Sequence, residues 1–180
     1  INTVEGFLTN YKGATATVNT TANFDNFGTL NLKGSATAIA DGYNEGSIDI
    51  KGAYTVKRLI NKGSVDVNAD VTVLATGGVI ENQKGGTITV NATVYAKEEG
   101  IVKNFTGAVI NVNGKLAEEV NNSGEIFVKG NGKVIVNGNL TQDVKGIIDV
   151  TEATGAEADA QKAMDYVAGE EGNAFRYVVK

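Results

Sequence analysis

The chain has no cysteine, no histidine, no proline and no tryptophan, and a single methionine, Met164. Without cysteine there is no disulfide, no thiol nucleophile and no thiolate metal site. Without histidine as well, the Ser-His-Asp and Cys-His arrangements are excluded, together with an ordinary zinc site. Positive charge is scarce: 16 Lys and Arg stand against 21 Asp and Glu, for a net charge of −5. Only Arg58 and Arg176 could supply planar guanidinium forks, and no basic stripe suggests a nucleic-acid partner. No apolar run approaches the ~18 residues of a membrane span. Phosphate-cradling loops of the Gly-x-x-x-x-Gly-Lys-Ser/Thr or strand-linked Gly-x-Gly-x-x-Gly kind are missing too. No catalytic residues, cofactor or metal are expected, and the reading is of a protein that is not an enzyme. The chain opens at Ile1 without methionine or secretory leader, as expected of a processed export product or a piece of a longer polypeptide.

What is abundant is glycine, 23 of 180 residues, matched closely by asparagine. That is roughly twice the usual glycine share, and both residues tolerate left-handed backbone, so many tight corners are expected. The glycines punctuate a recurring phrase: Gly28-Thr-Leu-Asn-Leu-Lys-Gly34, Gly46-Ser-Ile-Asp-Ile-Lys-Gly52, Gly63-Ser-Val-Asp-Val-Asn-Ala69 and Gly86-Thr-Ile-Thr-Val-Asn-Ala92. Looser copies run Ile110–Gly114, Gly124–Gly130 and Gly146–Val150. With Gly13 and Gly107 as further anchors, the spacing is elastic around 20 residues, a solenoid period.

Inside each phrase apolar and polar residues alternate strictly, the pattern of a strand with one buried face. Leu30/Leu32, Ile48/Ile50, Val65/Val67, Ile88/Val90, Ile110/Val112, Ile126/Val128 and Ile148/Val150 are expected inside, each worth roughly 1.5–3 kcal/mol when buried. A second apolar segment follows most phrases (Tyr54–Val56, Val71–Val73, Val94–Ala96, Leu116, Val134–Val136). A third precedes the next anchor (Leu59-Ile60, Val79-Ile80, Ile101-Val102, Val120). Three short strands per turn predict an all-β, right-handed parallel β-helix of seven or eight coils. The alternative is an antiparallel sandwich, because Asn131-Gly132 and Asn137-Gly138 are strong hairpin turns.

Asparagines sit just ahead of the anchors at Asn26, Asn44, Asn61 and Asn122, with Asn82 and Asn104 slightly displaced. Stacked coil on coil, they predict an amide ladder. The Asn-x-Gly-x-Φ-x-Φ pattern over residues 24–150 resembles the repeats of right-handed β-helix surface proteins, including haemagglutinin-like adhesins and autotransporter passenger domains. The resemblance implies an exported, elongated protein at the cell surface or outside the cell.

Residues 1–153 are read as the solenoid and 154–180 as a separate C-terminal segment. Ala156, Ala160, Ala163, Met164 and Val167 fall at helical spacing, which predicts a capping helix over 154–168. A strand-like Phe175-Arg-Tyr-Val-Val179 follows. Open solenoid ends need covering, so Phe175, Tyr177, Val178 and Val179 are the expected assembly residues, with a second copy of the chain as partner and cell-surface glycans as a further one. Sequons at Asn19, Asn91, Asn104, Asn121 and Asn139 are expected glycosylation positions in an exported chain.

On the outward face, Asp49 is expected directly over Asp66. Two such carboxylates raise each other's pKa or invite a cation, unless Lys51 settles the charge. Their spacing would also suit carbohydrate cleavage, but aromatic sugar platforms look scattered: Tyr43, Tyr54, Tyr95 and Phe127. The expected function is structural: a subunit or segment of an extracellular filament, surface layer or adhesin, with a carbohydrate-binding or carbohydrate-cleaving module, or a viral fibre, as the alternative.

Overall fold

Alternating β-branched residues between glycine corners fold as the period dictates: among the described residues every strand is short, and every strand pair is parallel. The computed structural model describes residues 3–18, 20–34, 38–97, 99–135, 140–142, 146–153 and 177–178. The chain is an all-β parallel solenoid of about seven turns with three sheets as its walls. The first sheet stacks Thr3–Asn10, Thr20–Asn26, Asp41–Asn44, Arg58–Asn61, Val79–Asn82, Ile101–Asn104, Val120–Asn122 and Leu140–Gln142. The second stacks Thr15–Val18, Thr29–Leu32, Ser47–Ile50, Ser64–Val67, Thr87–Val90, Val109–Val112, Glu125–Gly130, Ile147–Ala153 and, last, Tyr177–Val178. The third stacks Ala38–Ile39, Tyr54–Val56, Val71–Val73, Thr93–Ala96, Lys115–Glu118 and Lys133–Ile135.

The repeated phrase is the second sheet. Its aliphatic pairs from Leu30/Leu32 to Ile126/Val128, and Ile148 after them, are all buried. Column sits on column without slippage: Leu30 pairs with Ile48, Ile48 with Val65, Val65 with Ile88, Ile88 with Ile110 and Ile110 with Ile126. The third sheet adds Val56, Val73, Ala96 and Leu116 from the other side. Phe127–Ile135 does not form the antiparallel hairpin that Asn131-Gly132 suggested, and Val136 and Asn137-Gly138 lie outside the described residues. Glu125–Gly130 and Lys133–Ile135 belong to different sheets and each pairs parallel with the coil before it. The Asn-Gly turn is a wall-to-wall corner, because register along the stack outweighs a local turn preference.

Anchor glycines are explained by coil-on-coil approach rather than by dihedral angles. A Cβ on Gly46 would overlap the carbonyl oxygen of Gly28, and one on Gly63 that of Gly46. Consecutive corners lie with backbone on backbone, leaving no room for a side chain. Three corners are two residues longer: Asn10–Ala14, Asn82–Gly86 and Asn104–Ala108. In each, a positive-φ glycine (Gly13, Gly85, Gly107) turns the chain. The turns are closed by Ala14, Gly86 and Ala108 N–H groups donating to the carbonyls of Tyr11, Gln83 and Phe105. Thus Gly13 and Gly107 are not stacking glycines as the sequence spacing implied; Ala14 and Ala108 take that place. The helix expected over 154–168 lies outside the described residues.

Candidate functional site: stacked amides and an aromatic corner

Asparagine closes every first-sheet strand from Thr3–Asn10 to Val120–Asn122, where the chain turns inward before the second sheet. Asn10, Asn26, Asn44, Asn61, Asn82, Asn104 and Asn122 are all buried. Each Nδ2 from Asn10 to Asn104 donates to Oδ1 of the asparagine one coil on, at 2.7–2.9 Å. The other Nδ2 hydrogen is directed to a carbonyl of the next coil: that of Thr29, Ser47, Ser64, Thr87, Val109, Glu125 or Ile147. The Oδ1 atoms of Asn61 and Asn122 also accept from Gly63 and Gly124 N–H. From Asn26 to Asn122 the buried amide oxygens are therefore satisfied by the ladder, as burial requires. The ladder is also polar, every side chain donating toward the C-terminal end. Asn10 was not visible as a member from spacing, since its long corner separates it from Gly13; the same corner shape at Asn82 and Asn104 is the signal that identifies it.

A second, exposed ladder runs on the opposite corner. Asn113 donates to Asn91, Asn91 to Asn68 and Asn68 to Asp49, at 2.8–2.9 Å. Asp49 stands in register with Asp66, as the sequence implied. Of the outcomes the sequence left open at Asp49, Lys51 settling the charge is the one that the structure bears out. Burial pushes its carboxyl up, but hydrogen bonds from Lys51 and Asn68 and the charges of Lys51 and Lys33 hold it below its ordinary value. The Lys51 ammonium lies 2.7 Å from it. Among the described residues no group of three or more His, Cys, Asp and Glu side chains converges as a metal site. Arg58 is paired with Asp41 at 2.9 Å.

Stacking also gathers aromatics that lie 16 residues apart in the chain. Tyr11 and Phe27 each follow a ladder asparagine, and Phe27 meets Tyr43 edge-tilted at 6.1 Å between ring centroids. Tyr43 donates to Glu45, while Lys62 donates to the Tyr43 hydroxyl and sits 5.2 Å from its ring centre. The bond to Tyr43, with the nearby negative charge of Glu45, raises the Lys62 pKa. Tyr11, Lys12, Phe27 and Glu45 line an open depression at this corner, and Tyr11 is 71% exposed.

Of the expected assembly residues, Tyr177 and Val178 form a strand on the outer side of Ile147–Ala153, paired with Ile148 and Asp149. Phe175 and Val179 lie outside the described residues. Among the sequons, Asn91 is exposed within the outer ladder and Asn121 points outward from Val120–Asn122. Asn104 is 1% exposed with both amide hydrogens engaged, so a glycan there is incompatible with the inner ladder. Asn19 and Asn139 lie outside the described residues. No helix among the described residues is long and apolar enough to cross a membrane. Compared with protein-family models, with curated proteins and with solved structures, the chain matches none.

Proposed function

We propose that this solenoid is a structural, non-enzymatic part of an extracellular filament, surface layer or adhesin, and that it extends through its ends. The observation that carries the reading is the stack itself: backbone bonds and aliphatic columns repeat from coil to coil in one parallel register, which a further coil can extend. Natural edges are blunted by charged side chains, proline, β-bulges or short length. The first described strand, Thr3–Asn10, is eight residues long without lysine or proline; Glu5 and the irregularity between Val4 and Phe7 at positive-φ Gly6 are its blunting features. Leu8, which points into the core, is only partly buried there. A further coil laid on that edge continues both the backbone bonds and the aliphatic columns. Contacts of one end with the other end are heterologous and generate open fibres. The resemblance to β-helix surface proteins supports a location at or outside the cell surface.

Electron micrographs and light scattering of the purified chain across a concentration series test this. Unbranched fibres one solenoid wide are expected; a monomer at every concentration overturns the proposal, and a closed trimer favours a fibre-tip protein instead. Removing residues 170–180, which include Tyr177 and Val178, is expected to weaken assembly without unfolding the coils.

The corner of Tyr11, Lys12, Phe27 and Glu45 favours a second reading, carbohydrate binding. An exposed ring flanked by a carboxylate and an ammonium offers both an apolar face and hydrogen-bonding groups to a sugar. Binding on a glycan array that disappears in Tyr11→Ala supports it; an array silent for the wild-type chain removes it.

A further inference from the structure

The regular outer face of the second sheet is broken at one place. Its strands from Thr15–Val18 to Val109–Val112 are four residues long, whereas Glu125–Gly130 and Ile147–Ala153 run to six and seven. Between these two the register slips. Phe127 pairs with Asp149 but Lys129 with Glu152, so the later strand carries one extra residue, a β-bulge. In a regular strand Glu152, three residues after outward-facing Asp149, would be aimed into the core. The extra residue turns it outward instead, where its carboxylate meets the Lys129 ammonium at 3.3 Å.

At the slip lies an open-sided cavity of about 210 Å³, lined by Asn111, Phe127, Val128, Lys129, Asp149 and Glu152. Asn111, Phe127 and Asp149 form one outward column across three coils, each half-buried. The strand Tyr177–Val178 pairs with Asp149 on its other side, so the cavity sits within the stack.

This lining selects by charge and by shape. Asp149 and Glu152 oppose an anion, Lys129 opposes a cation, and the Lys129–Glu152 pair is neutral as a unit. Phe127 supplies apolar surface, Asn111 both donates and accepts, the carboxylates accept and the ammonium donates. A ligand that uses all of these is neutral, with an apolar face and a rim of hydroxyls. The volume falls below the ~300–1,000 Å³ of drug-sized sites, which suits one ring. We propose that the cavity at this bulge binds a single neutral sugar unit, its C–H face against Phe127 and its hydroxyls shared among Asn111, Asp149 and the Lys129–Glu152 pair. The site is separate from the Tyr11 corner and does not depend on assembly through the ends.

Saturation-transfer NMR tests this with glucose, galactose, mannose and N-acetylglucosamine as neutral probes and glucuronate and glucosamine as charged ones. Transfer to the ring C–H protons of at least one neutral sugar is expected, with glucuronate binding about tenfold more weakly. Phe127→Leu keeps apolar bulk without the ring, and Asp149→Asn removes a charge without removing an acceptor; circular dichroism confirms that each stays folded. Affinity for the neutral sugar should fall about tenfold or more in Phe127→Leu and stay unchanged in Tyr11→Ala. In Asp149→Asn the preference against glucuronate should narrow. Silence with all four neutral probes, or tighter binding of either charged one, overturns the proposal. Unchanged affinity in Phe127→Leu overturns it as well, and if Tyr11→Ala then abolishes binding, the corner reading stands in its place.

Discussion

The ring of Phe24 fills the space that a side chain at Gly42 would take. The two residues are register partners in adjacent coils, and a Cβ on Gly42 would lie 2.7 Å from Phe24 Cζ, 3.0 Å from Ile39 Cγ2 and 3.1 Å from Leu59 Cδ1. The first sheet's inner column thus sets its largest residue directly over its smallest. Gly42→Ala should cost about 1–3 kcal/mol of stability, as overpacking does. Adding Phe24→Leu should recover part of that loss. Denaturant melts of the two single variants and the double variant give the coupling; additive effects would show that the ring and the glycine do not share this space.

The inner ladder and the outer ladder have the same chemistry and different burial, so they should differ in weight. Asn61→Ala leaves the Asn44 amide and the Asn82 carbonyl oxygen buried without each other's bridge. That should cost about 2 kcal/mol or more, at the upper range for buried polar groups left unpaired. Asn113→Ala, at the exposed end of the outer ladder, should change stability by less than about 0.5 kcal/mol. Equal effects in thermal unfolding would contradict the assignment of burial as the deciding factor.

Corner glycines should be irreplaceable where corners are short. Gly46→Ala places a methyl on the Gly28 carbonyl oxygen, so the coils must part or shift register, with a cost above about 2 kcal/mol. At the homologous stacking position of the long corners, alanine is already present as Ala14 and Ala108. Ala108→Gly should therefore be mild, within about 1 kcal/mol. Urea midpoints of the pair decide the point.

Acid should weaken the outer face through Asp49. Its folded-state pKa is depressed, so its contribution is present above the ordinary carboxylate pKa and is lost as pH falls through the folded value. Asp49→Asn keeps an acceptor for Asn68 but loses the Lys51 pair, an effect of at most about 1 kcal/mol at neutral pH. The gap between wild type and variant should shrink as pH drops below about 4. A gap that stays constant down to pH 2 would exclude this linkage.

In a glycosylating host, peptide mass mapping should find Asn104 unmodified in the folded protein, with Asn91 and Asn121 as the accessible acceptors among the described sequons. Modified Asn104 in material that melts as wild type would show that the inner ladder tolerates a gap.

The primary structure determined the solenoid itself. Period-two alternation chose the inner faces, as at Leu30/Leu32 and Ile48/Ile50, and the recurrence of Asn before Gly chose the ladder's corner. These are local features, written within six or seven residues of one another. Tertiary structure alone decided what depends on neighbours 16 or more residues away. The entry of Asn10 into the ladder, the Asn68 hydrogen bond to Asp49, the meeting of Phe27 with Tyr43 and the seat of Tyr177 beside Ile148 all belong to this second group. Corner lengths vary along the chain, and only the backbone bonds between coils absorb that variation and fix which side chains face each other.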